Sequence, residues 1–221
     1  MSGLVHATTG PGLDSISILS DDSFDERLPA DLRVRASTFF TPVHVAECAA
    51  RLLTTSPGTT VLDVGAGAGK FCIAAALAVP SCKFIGVEWR PHLVALANAL
   101  ADELAVPNVR FIHGDALDLD WSSFDSFYFF NPFAEQSDES EFRLDRTIDV
   151  DPDNFIRCVY GAREKLASAR VGTRVVTYHG FGASPPRGYE PSREDPVHCR
   201  RLQLWVKTQI IMGGETYAEL V

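Results

Sequence analysis

The chain has 221 residues, 46% of them hydrophobic and 22% charged, which suits one domain with a substantial core and is too short for two full ones. Its formal charge of -9 disfavours a nucleic-acid partner, because binders of phosphate backbones usually present a basic face. No apolar run approaches the ~20 residues that span a bilayer, and the N-terminus lacks the basic start and unbroken apolar segment of a signal peptide. Cysteines at 48, 72, 82, 158 and 199 are odd in number and form no CxxC, so a reducing cytoplasm is expected, with no zinc knuckle or disulfide framework.

Residues 1–35 read as an N-terminal arm, polar and broken by Gly and Pro, and residues 36–221 as one domain. In "STFFTPVHVAECAARLL", Thr41 is expected to cap a helix whose first position is Pro42. "TTVLDVG" is a buried strand by its apolar run and β-branched content. "KFCIAAALAVP" is then a helix stopped by Pro80, "CKFIGVE" a second strand, "RPHLVALANALADELAV" a second helix and "NVRFIHGD" a third strand. "FDSFYFFNPF", dense in aromatics, reads as a fourth strand at the sheet centre. After a polar stretch come the helix "DPDNFIRCVYGAREKLASAR" and the strand "TRVVTYHG". "CRRLQLWVKTQI" closes the chain as a long strand in a hairpin with the region of "PRGYEP". Strands alternating with helices at this spacing predict a doubly wound α/β fold: a mostly parallel seven-stranded sheet, a C-terminal antiparallel hairpin and helices on both faces.

The stretch "VLDVGAGAGK" at 61–70 puts three glycines at alternate positions after an apolar run, a loop gripping something by backbone. A phosphate-binding P-loop needs GxxxxGK[ST], but Phe71 follows Gly69-Lys70 and the first required glycine falls on Val64. A dinucleotide loop needs GxGxxG, and its third glycine is replaced by Lys70. An NAD-dependent oxidoreductase is therefore disfavoured, though it would share the sheet and a ribose carboxylate.

The remaining pattern, an acid two places before GxGxG, resembles motif I of the class I S-adenosylmethionine-dependent methyltransferases. Asp63 precedes Gly65, Ala66, Gly67, Ala68 and Gly69 at that spacing. Glu88 in "IGVEW" and Asp115 in "HGDAL" continue the likeness, which covers residues 36–180. The resemblance implies S-adenosylmethionine as cofactor. Its glycines would admit the methionine and ribose portions, and Asp63 would accept from the ammonium group. Glu88, beside Trp89, would accept the ribose hydroxyls, while Asp115 would face the adenine amino group with Ala116 supplying backbone. "FFTPVHVA" resembles the "FYTP" segment of adenine methyltransferases, which implies that Phe40 and Thr41 cover the methionine end; a capped helix start is the competing reading.

For the acceptor, "FFNPF" resembles motif IV of the amino-methyltransferases, [NDS]-P-P-[FYW]. There an Asn oxygen and a Pro carbonyl accept from the target amine and an aromatic ring packs on the substrate. Asn131 and Phe133 are therefore the candidate catalytic residues, with Asn131 also at the cofactor; a single proline, Pro132, shifts the ring one place earlier than in that motif. The Asn-x-Phe pattern also looks somewhat like the Asn-Asn-Phe of non-SET histone-lysine methyltransferases. Eight acids in 134–153 against Arg143 and Arg146 would favour a cationic acceptor at that edge, either as a lid or as a solvated loop. The expected acceptor is a small-molecule or protein amine, with a nucleobase as the alternative and a non-catalytic cofactor-binding module as a further one. His179 could contact substrate or act as a base, and His44 lies in a first helical turn; His198-Cys199 has no spaced partners, so no metal site is expected.

Overall fold

The computed structural model describes residues 19–137, 143–149, 151–192 and 201–211. His198, Cys199 and part of the acidic stretch lie outside them, as does most of the expected arm. Seven strands form one sheet: β1 (Thr60–Val64), β2 (Lys83–Glu88), β3 (Val109–His113), β4 (Ser126–Phe129), β5 (Arg174–Tyr178), β6 (Tyr189–Pro191) and β7 (Leu202–Lys207). Their order is β3-β2-β1-β4-β5-β7-β6. The first five run parallel, and β7 enters antiparallel between β5 and β6. The doubly wound sheet predicted from the sequence is thus observed, with the closing hairpin inverted so that its first arm forms the edge.

Alternation along the strands assigns the two faces. From β1, Val61 joins one apolar core and Leu62 the other. The first core also holds α3 (Ala36–Phe39), α4 (Val43–Leu53), α5 (Lys70–Ala78) and α6 (Pro91–Glu103); the second is covered by α7 (Pro152–Ser168) and the 3-10 turn containing Trp121. Buried alanines on α5 let it lie close against the sheet. Pro91 opens α6, and Asp151 caps α7 by accepting the Asp153 N–H at 3.0 Å. Among the described residues no helix is long and apolar enough to cross a membrane.

Two local expectations change. The segment before residue 36 is packed from α1 (Asp21–Asp25) onward, through α2 (Ala30–Arg33), because Phe24, Leu28 and Leu32 are all buried in the first core. Polar residues around those three apolar side chains made the stretch look like an arm. It is fastened by the buried Lys70, whose Nζ lies 2.8 Å from Asp21 Oδ1 and 2.7 Å from Asp25 Oδ1. Second, α4 begins one residue late. Pro42 is its cap position and Thr41 Oγ1 is instead 2.9 Å from the Tyr128 hydroxyl. The Val43 N–H is accepted at 2.9 Å by Asp21 Oδ1, so the N-terminal segment caps the helix.

The winding reverses between β1 and β4, the point at which open α/β sheets leave a crevice beyond the strand ends.

Candidate active site

A cleft occupies that crevice, with an empty volume of about 1090 Å³ including its open mouth, enough for a nucleoside-sized ligand. Its floor is the turn after β1. Gly65 and Gly67 have φ of 80° and 54°, a region that side chains rarely adopt. A Cβ on Gly65 would stand 2.7 Å from Pro132 Cβ, and one on Gly67 would stand 2.9 Å from the Phe40 ring. The loop is therefore sandwiched between the segment after β4 and the segment before α4, with its backbone bared to the cleft.

At the end of β2, Glu88 is buried and its carboxylate is aimed by backbone: Oε2 accepts the Gly67 N–H and Oε1 the Arg90 N–H, both at 3.0 Å. Trp89 lines the same wall. Beyond β3, Asp115 and Ala116 line the far end. Asp115 Oδ1 accepts the Leu117 N–H at 2.9 Å, capping a 3-10 turn, and Oδ2 pairs with Arg157 at 2.7 Å. Asp115 thus follows the strand end in the cleft lining, where Arg157 already draws on its charge.

Beyond β4, Asn131 has φ of 44° and donates its N–H to the Gly180 carbonyl at 2.8 Å. This left-handed turn, which Asn tolerates better than most residues, sets the exposed Asn131 in the cleft wall beside the buried Phe133. No hydrogen bond engages the Asn131 side chain among the described residues. Sparsely populated backbone of this kind is retained where the surroundings enforce it, commonly at functional sites.

Of the sequence candidates, the cleft gathers Phe40, Gly65, Gly67, Glu88, Trp89, Asp115, Ala116, Asn131 and Phe133. Thr41, Asp63, Ala66 and Gly69 do not line it. Asp63 follows the strand alternation onto the α5 side, where the Cys72 thiol donates to its Oδ2 at 3.5 Å. Burial pushes the Asp63 carboxyl up to about 8, and nearby Glu88 adds to the rise. Gly69 serves packing, since a Cβ there would meet the Phe111 ring at 2.5 Å. His179, with φ of 62°, lies outside the cleft lining, its ring 5.7 Å from that of Phe130, which does line it. Burial, then the charge of Arg201, holds its pKa below the ordinary value. His44 does not reach the cleft.

Sequence reasoning missed Arg90, Phe130, Leu144 and Ile148, all in the cleft lining. It also read the acids after Phe133 as one field. Two of them, Glu135 and Asp145, are ion-paired with the buried Arg90, at 2.6 and 3.1 Å, and Asp151 is spent capping α7. The net attraction for a cationic acceptor is correspondingly weaker than the count suggests. The signal available was Arg90 standing two places after Glu88 in "VEWRP", which no periodicity singles out.

Residues 55–148 match the family model described as a methyltransferase domain. The chain is 47% identical over 51 residues to a tRNA (guanine-N(7)-)-methyltransferase of Synechococcus sp. (strain JA-3-3Ab), 23% of this chain and 22% of that protein. It is 36% identical over 55 residues to the release factor glutamine methyltransferase of Escherichia coli (strain K12), 25% of this chain and 20% of that one. The matched segments thus span about a fifth of these relatives' length. In fold, the chain is similar to an RNA methyltransferase from Salinibacter ruber solved with S-adenosyl-L-homocysteine. That likeness has a TM-score of 0.53 at 21% identity, covering 79% of this chain and 97% of the other. It is also similar to TrmN from Thermus thermophilus, with a TM-score of 0.53 at 20% identity, covering 80% and 51%.

Proposed function

We propose that this chain, a member of the class I S-adenosylmethionine-dependent methyltransferase superfamily, binds S-adenosylmethionine in the cleft and directs its methyl group to an acceptor nitrogen held at Asn131. The observation that carries the reading is the meeting of Glu88, oriented by the Gly67 N–H, with the Asn131 amide, unpaired among the described residues, along one cleft. The residues suit the cofactor: bare glycine backbone for its methionine and ribose portions, a carboxylate for the sugar hydroxyls, and Asp115 with Ala116 at the base end.

The cofactor supplies an electrophilic methyl on a sulfonium. Methyl transfer is an in-line displacement, so the chain's task is positioning more than proton transfer. The Asn131 side-chain oxygen accepts from the acceptor N–H and holds the nitrogen lone pair towards the cleft. Phe130 and Phe133 provide apolar walls that exclude water from the line of attack. Gly65, in contact range of Pro132, fixes the distance between the cofactor loop and the acceptor segment.

A small-molecule or protein amine is the favoured acceptor class. A nucleobase is the second reading, favoured by the tRNA-modifying relative and by the pairing of Glu135 and Asp145 with Arg90, which lessens repulsion of phosphate. The compartment assumed is a reducing cytoplasm; Cys48, Cys72, Cys82 and Cys158 are free thiols.

Calorimetry with S-adenosylhomocysteine and with NAD tests the cofactor: binding of NAD alone would overturn the reading. Label transfer from methyl-labelled cofactor into fractionated lysate tests the acceptor. Counts in the protein or small-molecule fraction support the favoured class, and counts confined to nucleic acid replace it with the second.

A further inference from the structure

Arg90 stands where the cofactor half of the cleft meets the segment after Phe133. It directly precedes α6 and is 8% exposed. Its N–H and its Nη1 approach Glu88 Oε1 at 3.0 and 3.5 Å. Nη2 lies 2.6 Å from Glu135 Oε2, and Nε lies 3.1 Å from Asp145 Oδ1. Glu135 Oε2 also accepts the Leu144 N–H at 3.1 Å, which seats the buried Leu144 in the cleft wall near Ile148. Asp145 Oδ1 additionally accepts from the Thr147 N–H and hydroxyl at 2.9 and 2.6 Å, and Oδ2 lies 3.2 Å from His92 Nε2.

Three carboxylates therefore share one guanidinium. Arginine stays charged and its planar fork fixes the direction of each contact. Removing one carboxylate leaves the charge to lean on the other two.

We infer that Arg90 is a positioning residue that couples Glu88, and hence cofactor binding, to the seating of residues 143–149 against the cleft, with Asp145 as the link. This rests on the proposed reading of Glu88 as the sugar-binding carboxylate. Asp145 does not line the cleft, so its influence on ligand passes through Arg90. With Asp145 uncharged, the guanidinium draws towards Glu88 Oε1 and competes for lone pairs that sugar hydroxyls need. Leu144 and Ile148 lose part of their anchoring at the same time. The coupling is reciprocal: ligand at Glu88 must steady residues 143–149 by the same factor.

The test is calorimetry of the full chain with S-adenosylhomocysteine, comparing wild type with Asp145→Asn, Asp145→Glu and Thr147→Ala. Asp145→Asn keeps an oxygen for Thr147 but removes the charge, and affinity should fall about fivefold or more. Asp145→Glu should recover part of that loss. Thr147→Ala removes the hydroxyl bond within the loop and leaves the backbone N–H bond and the ion pair, so it should bind as wild type does. In parallel, S-adenosylhomocysteine should slow tryptic cleavage after Arg143 and Arg146 in the wild type and fail to do so in Asp145→Asn. Equal affinity of Asp145→Asn and wild type, or equal loss in Thr147→Ala, overturns the coupling while the cofactor reading stands. A wild type that does not bind S-adenosylhomocysteine overturns both.

Discussion

The backbone N–H of Gly67 donates to Oε2 of Glu88 at 3.0 Å, so the turn that ends β1 aims the carboxylate that ends β2. A substitution at Glu88 should therefore act on ligand more than on fold. On the proposed reading, Glu88→Ala removes the acceptors for two sugar hydroxyls, while Arg90 keeps Glu135 and Asp145 as partners. If each bond to the charged group is worth ~1.5–3 kcal/mol, affinity for S-adenosylhomocysteine falls ten-fold or more. Calorimetry measures it, and an unchanged Kd in a folded variant removes Glu88 from the sugar site.

Gly65→Ala should harm both stability and turnover. Its φ of 80° costs an alanine about 1–2 kcal/mol, and the added Cβ would stand 2.7 Å from Pro132 Cβ, displacing the residue next to Asn131. Gly58→Ala is the control, because Gly58 has φ of 84° and nothing within 4 Å of its added Cβ. Both variants should lower Tm, but only Gly65→Ala should lower kcat. Equal turnover in the two would mean that the loop and the acceptor segment are not mechanically joined.

What the sequence disclosed divides along physical lines. Strand identity follows from local chemistry: Val61, Leu62 and Val64 are β-branched or apolar within four positions, and all are buried. The placement of Glu88 and Asn131 in the cleft wall could be anticipated because each follows a strand beside a glycine or proline. Asp63 does not line the cleft, since its nearness to the glycines in sequence ignores the alternation that turns it towards Cys72. Lys70 and Asp21 are 49 residues apart in the chain, from 21 to 70, and Arg90 and Asp145 are 55 apart. Ion pairs of that separation depend on the finished fold, and no local periodicity encodes them.

Asp63 gives a pH dependence. Its carboxyl is pushed up to about 8 by burial, with Glu88 adding repulsion, whereas an unfolded chain titrates near the ordinary value of ~3.9. The folded state then binds a proton that the unfolded state has lost, so this group takes stability away as pH rises from about 4 to about 8, and no further above that. Asp63→Asn abolishes the titration. The stability of that variant relative to wild type should climb across the interval, as read by urea unfolding at several pH values. A constant difference between the two proteins would show that Asp63 is ionised throughout.

Asn131 allows backbone and side chain to be separated. Its φ of 44° is one that glycine adopts freely and alanine adopts at a cost of about 1–2 kcal/mol. Asn131→Gly should therefore keep the turn and the N–H bond to the Gly180 carbonyl at 2.8 Å while deleting the amide. Asn131→Ala should delete the amide and lower Tm as well. If the amide oxygen orients the acceptor nitrogen, both variants lose turnover by on the order of 10- to 100-fold, with S-adenosylhomocysteine affinity nearly unchanged. Full turnover in Asn131→Gly would assign Asn131 to the turn alone, leaving acceptor orientation to the carbonyl of Pro132 and the rings of Phe130 and Phe133.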